Sequence, residues 1–161
     1  MKYTICKMKK EDTPDVREVA EISWYSTYEG IIPREIQENF LKTAYSDEML
    51  ATRLARSLLF VAKAGEHIVG FADFTPVNDK GHSELNAIYL DPDWQGHGIG
   101  TALLQRGLDE LGGARKLYIN VEKDNTIGKR FYEAKGFEAV REYDDLFDGH
   151  VLKTVRMYLT L

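Results

Sequence analysis

Two spacings of apolar residues divide the chain, and they change over near Leu58. Residues 2–8 alternate as a strand does, with Tyr3, Ile5 and Lys7 on one side. Asp12-Thr13-Pro14-Asp15 then reads as a helix start: a capping residue, proline in the first turn and an acid beside it. Val16, Val19, Ala20 and Ser23 follow at helical spacing, Trp24 and Thr27 extend the stripe, and Gly30 breaks it. Pro33 opens a second helix carrying Ile36 and Phe40. Ser46-Asp47-Glu48 caps a third with Leu50 and Leu54 on one face. From Leu58 the period is that of strands. Residues 58–63 and 68–75 form a hairpin about Ala64-Gly65-Glu66. A polar loop over 78–82 leads to a strand at 85–90, a glycine-rich loop, and a helix from about Gly98 to Leu111 stopped by Gly112-Gly113. A strand over 115–122, a helix from the Asp124-Asn125 cap to Lys135, and strands over 137–143 and 151–161 complete the chain. In the last strand Val151, Val155, Met157, Leu159 and Leu161 share a face. Asp148-Gly149 marks the turn before it, in a loop that reads as longer than two residues. The order is β, three helices, ββ, then βαβαββ. It predicts one α/β domain over residues 1–161, with a mixed central sheet and helices on both faces.

Composition narrows the class. At 161 residues, 43% hydrophobic and 29% charged, the chain can bury a core of its own. Nine tyrosines argue against disorder. The single cysteine, Cys6, excludes an internal disulfide framework and a cysteine-based zinc site, and it fits a cytoplasmic protein. No apolar run is long enough for a signal peptide or a membrane span. A net charge of −5 without a basic run argues against nucleic acid as a partner. His67, His82 and His150 are scattered and show no metal-ligand spacing, so no metal is expected.

The chemistry concentrates between Leu85 and Leu104, LNAIYLDPDWQGHGIGTALL. Gly96, Gly98 and Gly100 alternate at the point where the strand turns into a helix. Glycine admits positive φ and close ligand approach, and a helix N-terminus offers free N–H groups and a positive dipole end. Together they suit a phosphate. The spacing fails the dinucleotide fingerprint, because Thr101 stands where its last glycine would fall, and the Walker lysine is absent. What stands is Q-x-x-G-x-G: Gln95, Gly98, Gly100. A second pattern follows over 125–137, NTIGKRFYEAKGF.

These two motifs resemble those of the GNAT N-acetyltransferase superfamily, in the right order. The first resembles its pyrophosphate loop. The second resembles its N-x-x-A-x-x-F-Y-x-x-x-G-F region, with Asn125, Phe131, Tyr132, Gly136 and Phe137 in place and Gly128 where alanine is usual. The resemblance covers most of residues 58–161; the N-terminal third matches in layout, through Trp24, Tyr28, Gly30, Ile31 and Pro33.

The resemblance implies acetyl-CoA as cosubstrate, held by Ile88, Tyr89, Leu90, Gln95, Gly96, His97, Gly98, Ile99, Gly100, Thr101, Asn125, Lys129 and Tyr132. It implies a backbone N–H of Tyr89 or Leu90 for the carbonyl oxygen, where charge develops. Tyr132 is the expected acid for the leaving thiolate, and Phe131 and Phe137 are expected in the core. Glu84, eleven residues before Gln95, matches the general-base glutamate of some members and equally a plain surface carboxylate at a strand start. Alternation groups it with Asn86 and Ile88. Water is the alternative base. Lys129 and Arg130 either touch phosphate or form a solvated helix face.

The acceptor is expected between the first helices and the final hairpin. Trp24, Tyr25, Tyr28, Ile31 and Asn86 are candidates from one side, and Tyr143, Asp144, Asp145, Phe147, Asp148 and His150 from the other. Glu142, Asp144, Asp145 and Asp148 form either an acidic site for a polyamine-like cation or a solvated loop. The expected reaction is acetyl transfer to a small cationic amine, or to a protein or peptide amine, by direct attack on the thioester. The alternative is a non-catalytic acyl-CoA-binding sensor. A homodimer is consistent with the resemblance, although no segment identifies an interface.

Overall fold

The computed structural model describes residues 2–161; Met1, the first residue of the expected domain, lies outside the described residues. Seven strands form one sheet: β1 (Thr4–Lys7), β2 (Leu58–Ala64), β3 (His67–Phe74), β4 (His82–Leu90), β5 (Lys116–Glu122), β6 (Glu138–Phe147) and β7 (His150–Thr160). Their spatial order is β1-β2-β3-β4-β5-β7-β6. Every neighbour pair is antiparallel except β4 and β5. That one parallel step needs a crossover, supplied by α4 (Ile99–Glu110). Three helices precede the hairpin, α1 (Thr13–Tyr28), α2 (Arg34–Ala44) and α3 (Asp47–Arg56), and α5 (Thr126–Ala134) follows β5. Among the described residues no helix is long and apolar enough to cross a membrane.

The sheet is covered on both faces. One core gathers Phe60, Phe74, Leu85, Ile99, Leu103, Leu117, Ile119, Phe137 and Met157 beneath α4 and α5. The other gathers Val16, Val19, Trp24, Leu41, Tyr45, Leu50, Val61, Phe71 and Leu152 beneath the first three helices. In α1 the buried set is Val16, Val19, Ala20, Ser23 and Trp24, the helical stripe read from the sequence. Asp12 does not cap α1. It is buried, accepts the Lys9 N–H at 2.8 Å and pairs with Lys63 of β2 at 3.3 Å. Ser46 does cap α3, accepting the Met49 N–H at 3.2 Å.

Two strand expectations change. β6 runs four residues past Tyr143, because it pairs with β7 as far as Phe147↔His150. The loop is therefore only Asp148-Gly149, with φ of 49° and 78°, as a tight hairpin turn requires. In β7, Val151 is half exposed, and the buried residue next to it is Leu152, which faces the core beneath the first three helices.

β4 also carries a bulge. Asp73 faces Ala87, but Phe74 faces Leu85, so Asn86 has no partner on β3. The extra residue flips the alternation. Leu85, Ile88 and Leu90 join the α4 core, while Ala87 and Tyr89 join the α1 core. Glu84, next to Leu85, therefore faces away from Ile88, and the common face expected for them does not exist.

Gly107 lets α4 lie close on the sheet: a Cβ there would come 2.1 Å from Phe74 Cζ. Gly107→Ala is expected to lower the unfolding free energy by roughly 1–3 kcal/mol despite its better helix propensity. Gly112→Ala, which meets nothing within 4 Å, is expected to leave it nearly unchanged. Urea unfolding of the two variants checks both.

Candidate active site

β4 and β5 pair only at His82↔Lys116, Ser83↔Leu117 and Glu84↔Tyr118. Beyond that the strands part, and a cleft of about 460 Å³ opens between them. Residues 85–90 form one wall, Asn120 and Val121 the other. The outer side of each arm is held: β3 pairs with β4, and β7 with β5. The Asp91 N–H bonds Val69 O on β3 at 2.8 Å. Strand alternation sends the Tyr89 N–H toward β3 as well, and those of Ile88 and Leu90 into the cleft. Of the two amides expected to meet the carbonyl oxygen, Leu90 faces the cleft and Tyr89 does not; Ile88 is the additional one.

The glycine loop closes one end of the cleft. Gln95, Gly96, Gly98, Ile99, Gly100 and Thr101 all line it. Gly96 and Gly98 have φ of 81° and 80°, where a side chain is strained. Gly100 is helical; its role is space, since a Cβ there would lie 3.3 Å from the Phe131 ring. The first α4 hydrogen bond runs from Ala102 N to Gly98 O, so the amides of Ile99, Gly100 and Thr101 have no partner within the helix. The outcome is an anion cradle of backbone dipoles. His97 is exposed and does not line it; its ring lies 6.3 Å from Trp94.

Asn125, Ile127, Gly128, Phe131 and Tyr132 bring α5 to the cleft. Asn125 Oδ1 accepts the Gly128 N–H at 3.0 Å and caps the helix. A Cβ at Gly128 would come 2.6 Å from Asn125 Nδ2 with the amide placed as it is here. The Tyr132 ring packs edge-on against Phe131 and Phe137, at 5.4 and 5.3 Å. Burial, with Tyr89 adding to it, pushes the Tyr132 phenol well above the usual tyrosine range. Burial likewise raises Tyr28, helped by Tyr89, Tyr132 and Glu122 and opposed by the Asn125 amide; Tyr89 is raised by burial too. All three tyrosines stay neutral donors. Glu122, buried just behind, accepts the Asp124 N–H at 2.7 Å, and burial raises its carboxyl. Lys129 is half-buried on α5 and Arg130 exposed, and neither lines the cleft.

Ser23, Ser26, Thr27 and Tyr28 of α1 wall the other end, with Asn86. Trp24 stands behind them, 4.6 Å from Tyr28, 4.4 Å from Phe40 and 6.1 Å from Phe147 of the hairpin. Other expected acceptor residues lie elsewhere. Tyr25 lines a separate groove between α1 and α2, with the Arg34 guanidinium 3.4 Å over its ring. Tyr143 lies under Arg141, and Asp145 is exposed; neither lines the cleft. Lys123 pairs with Glu142 at 3.2 Å and Lys153 with Asp144 at 2.7 Å, so the acidic cluster is partly neutralised. Glu84 is outside the lining too, its carboxylate bound by Arg156 of β7. Among the described residues that line the cleft, none carries a formal charge. Sequence reasoning passed over Ser26 and Asn120. Asn120 had a signal, a polar residue amid the apolar KLYINV run.

The family described as Acetyltransferase (GNAT) matches residues 15–137. The chain is 32% identical over 146 residues to a spermidine N(1)-acetyltransferase of Thermoplasma acidophilum, covering 86% of this chain and 89% of that one. It is 32% identical over 114 residues to the peptidyl-lysine N-acetyltransferase YjaB of Salmonella typhimurium, covering 67% and 72%. The crystal structure of the PaiA N-acetyltransferase of Thermoplasma acidophilum, in complex with coenzyme A, superposes over 100% of both chains with a TM-score of 0.90 at 26% identity. A fork with an anion cradle at one end and tyrosines at its centre is thus joined by a match over most of the sequence, and the chain belongs to the acetyltransferase (GNAT) family.

Proposed function

We propose that this enzyme transfers the acetyl group of acetyl-CoA to a primary amine, with a small polyamine-like amine as the leading acceptor and a protein or peptide amine as the rival. The observation that carries the reading is the cleft itself: backbone amides for a diphosphate at one end, an unpaired strand edge along it and Tyr132 beside it. The relatives support the acceptor class, since spermidine and peptidyl-lysine both present primary amines.

Acetyl-CoA supplies the activated thioester. In this reading the amides of residues 96–101 hold its diphosphate, and the free edge of β4 meets the amide-bearing arm as an added strand would. Asn125, whose Oδ1 is engaged by the cap, has Nδ2 to donate to the same arm. The cleft-facing N–H groups of Ile88 and Leu90 stabilise the carbonyl oxygen as it gains charge. The amine nitrogen bonds to the carbonyl carbon as the C–S bond breaks. The Tyr132 phenol gives its proton to the departing sulfur and regains one from water. The attacking amine must be a free base, because an ammonium has no lone pair. A lining without charge disfavours the ammonium form as water is excluded. Its proton passes to water; the Glu84 carboxylate, outside the lining and held by Arg156, is assigned no proton transfer. The rings of Tyr28 and Tyr89, backed by the buried Trp24, offer an apolar wall and cation–π contact to the carbon chain and distal charges of the acceptor.

Release of coenzyme A is expected to depend on the acceptor across a panel of polyamines, amino acids, aminoglycosides and free-amine peptides, with polyamines turned over fastest. Tight acetyl-CoA binding without turnover of any amine would support a binding module instead. Tyr132→Phe is expected to lower kcat by roughly a hundredfold where chemistry limits, with KM for acetyl-CoA unchanged. Because the phenol is shifted upward, it keeps its proton, and wild-type kcat should show no falling limb from Tyr132 between neutral pH and about pH 10. Gly98→Ala forces a side chain to φ near 80°, at a cost of about 1–2 kcal/mol. Calorimetry should find acetyl-CoA bound roughly ten times more weakly.

A further inference from the structure

The fork opens just past Glu84 and Tyr118, and one side chain from a third strand reaches both. Arg156 of β7 stands opposite Asn120 of β5 in register. Its Nη1 donates to Asn120 Oδ1 at 3.1 Å, and its Nη2 donates to Glu84 Oε1 on β4. Its guanidinium carbon lies 4.5 Å from the centroid of the Tyr118 ring. One cation thus touches the last paired residue of each arm and Asn120, the first β5 residue that lines the cleft. The β5–β7 ladder does not need this contact, since it pairs seven residues by backbone alone. β4 and β5 pair over only three residues, and there the contact adds a crosslink.

We propose that Arg156 is a positioning residue, with Glu84 as its counter-ion: together they staple β4 to β5 at the base of the fork and aim Asn120 into the cleft. The proposal rests on the acetyltransferase reading for its kinetic consequence. A guanidinium only donates, so the Asn120 oxygen turns to it, leaving Asn120 Nδ2 as a donor to the cleft. The planar fork of arginine spans two acceptors and stacks on a ring at once, which a lysine ammonium does not. Glu84 then acts through Arg156. A role as general base would make its loss more severe than that of Arg156 and would change the pH dependence.

The test is a double-mutant cycle on the full chain. Glu84→Gln and Arg156→Gln are each expected to lower kcat roughly tenfold through displacement of the fork wall. The double variant should fall by about the same tenfold, because the two residues act as one unit. KM for acetyl-CoA and the acidic limb of the pH–rate profile should stay as in wild type. Arg156→Lys should recover little of the loss, and it stands in for Arg156→Gln if that variant unfolds. An additive, roughly hundredfold loss in the double variant would overturn the proposal. So would disappearance of the acidic limb in Glu84→Gln alone. A second readout is independent of turnover: the side-chain amide signals of Asn120 in a 15N-labelled sample, identified by their loss in Asn120→Asp. They should move in both Arg156→Gln and Arg156→Lys; signals unmoved by both would overturn the proposal. If wild type acetylates no amine, the functional reading fails, and the Asn120 signals still decide the staple.

Discussion

Two parallel strands that part after three paired residues leave rows of N–H and C=O groups facing each other across a gap. Such groups cost about 1–3 kcal/mol each when buried without a partner. The gap must hold water or a ligand with hydrogen-bonding groups of its own. It does not close by sliding β4 onto β5, because each arm is already zipped to an antiparallel neighbour on its far side. The bulge at Asn86 falls where the arms separate. It turns Ile88 and Leu90 into one core and Tyr89 into the other, so Tyr89 reaches the aromatic wall while the amides on either side of it face the gap.

Charge is arranged around this opening rather than inside it. The anion end is built from backbone dipoles at the start of α4, which carry no counter-ions to displace. The cleft lining is neutral, and the tyrosines in it are held in their protonated forms by burial. The ion pair at the base of the fork and those on β6 stand outside it. In the proposed reaction an amine entering the cleft leaves water without meeting a carboxylate. This favours the neutral, reactive form of the nitrogen that attacks.

Local patterns in the sequence are enough for the element order and for the residues that line the glycine-loop end of the cleft. The α1 stripe, the Ser46 cap and the glycine loop are written in consecutive residues, and so was the second motif with Asn125 and Tyr132. What the sequence did not disclose depends on register. A bulge shifts alternation without any residue type announcing it, so simple alternation groups Glu84 with Ile88 where the structure separates them. Tyr25 and Tyr28 sit three residues apart on α1, yet the first faces the outer groove and the second the cleft. The acidic run on β6 read as one site, but its alternate residues meet lysines from β7 and from the end of β5. Arg156, 36 residues from Asn120 and 72 from Glu84, had no local pattern pointing to either.

Gly128 illustrates how the site constrains the fold around it. Glycine in a helix costs roughly 1 kcal/mol relative to alanine. The short α5 helix carries that cost in its first turn, next to a cap that depends on Asn125. A methyl group at Gly128 would lie 2.6 Å from Asn125 Nδ2, so the amide would have to shift to admit it. Phe131 and Tyr132, packed against the α4-side core, hold α5 in place. Tertiary packing, more than propensity, thus keeps Tyr132 at the centre of the fork.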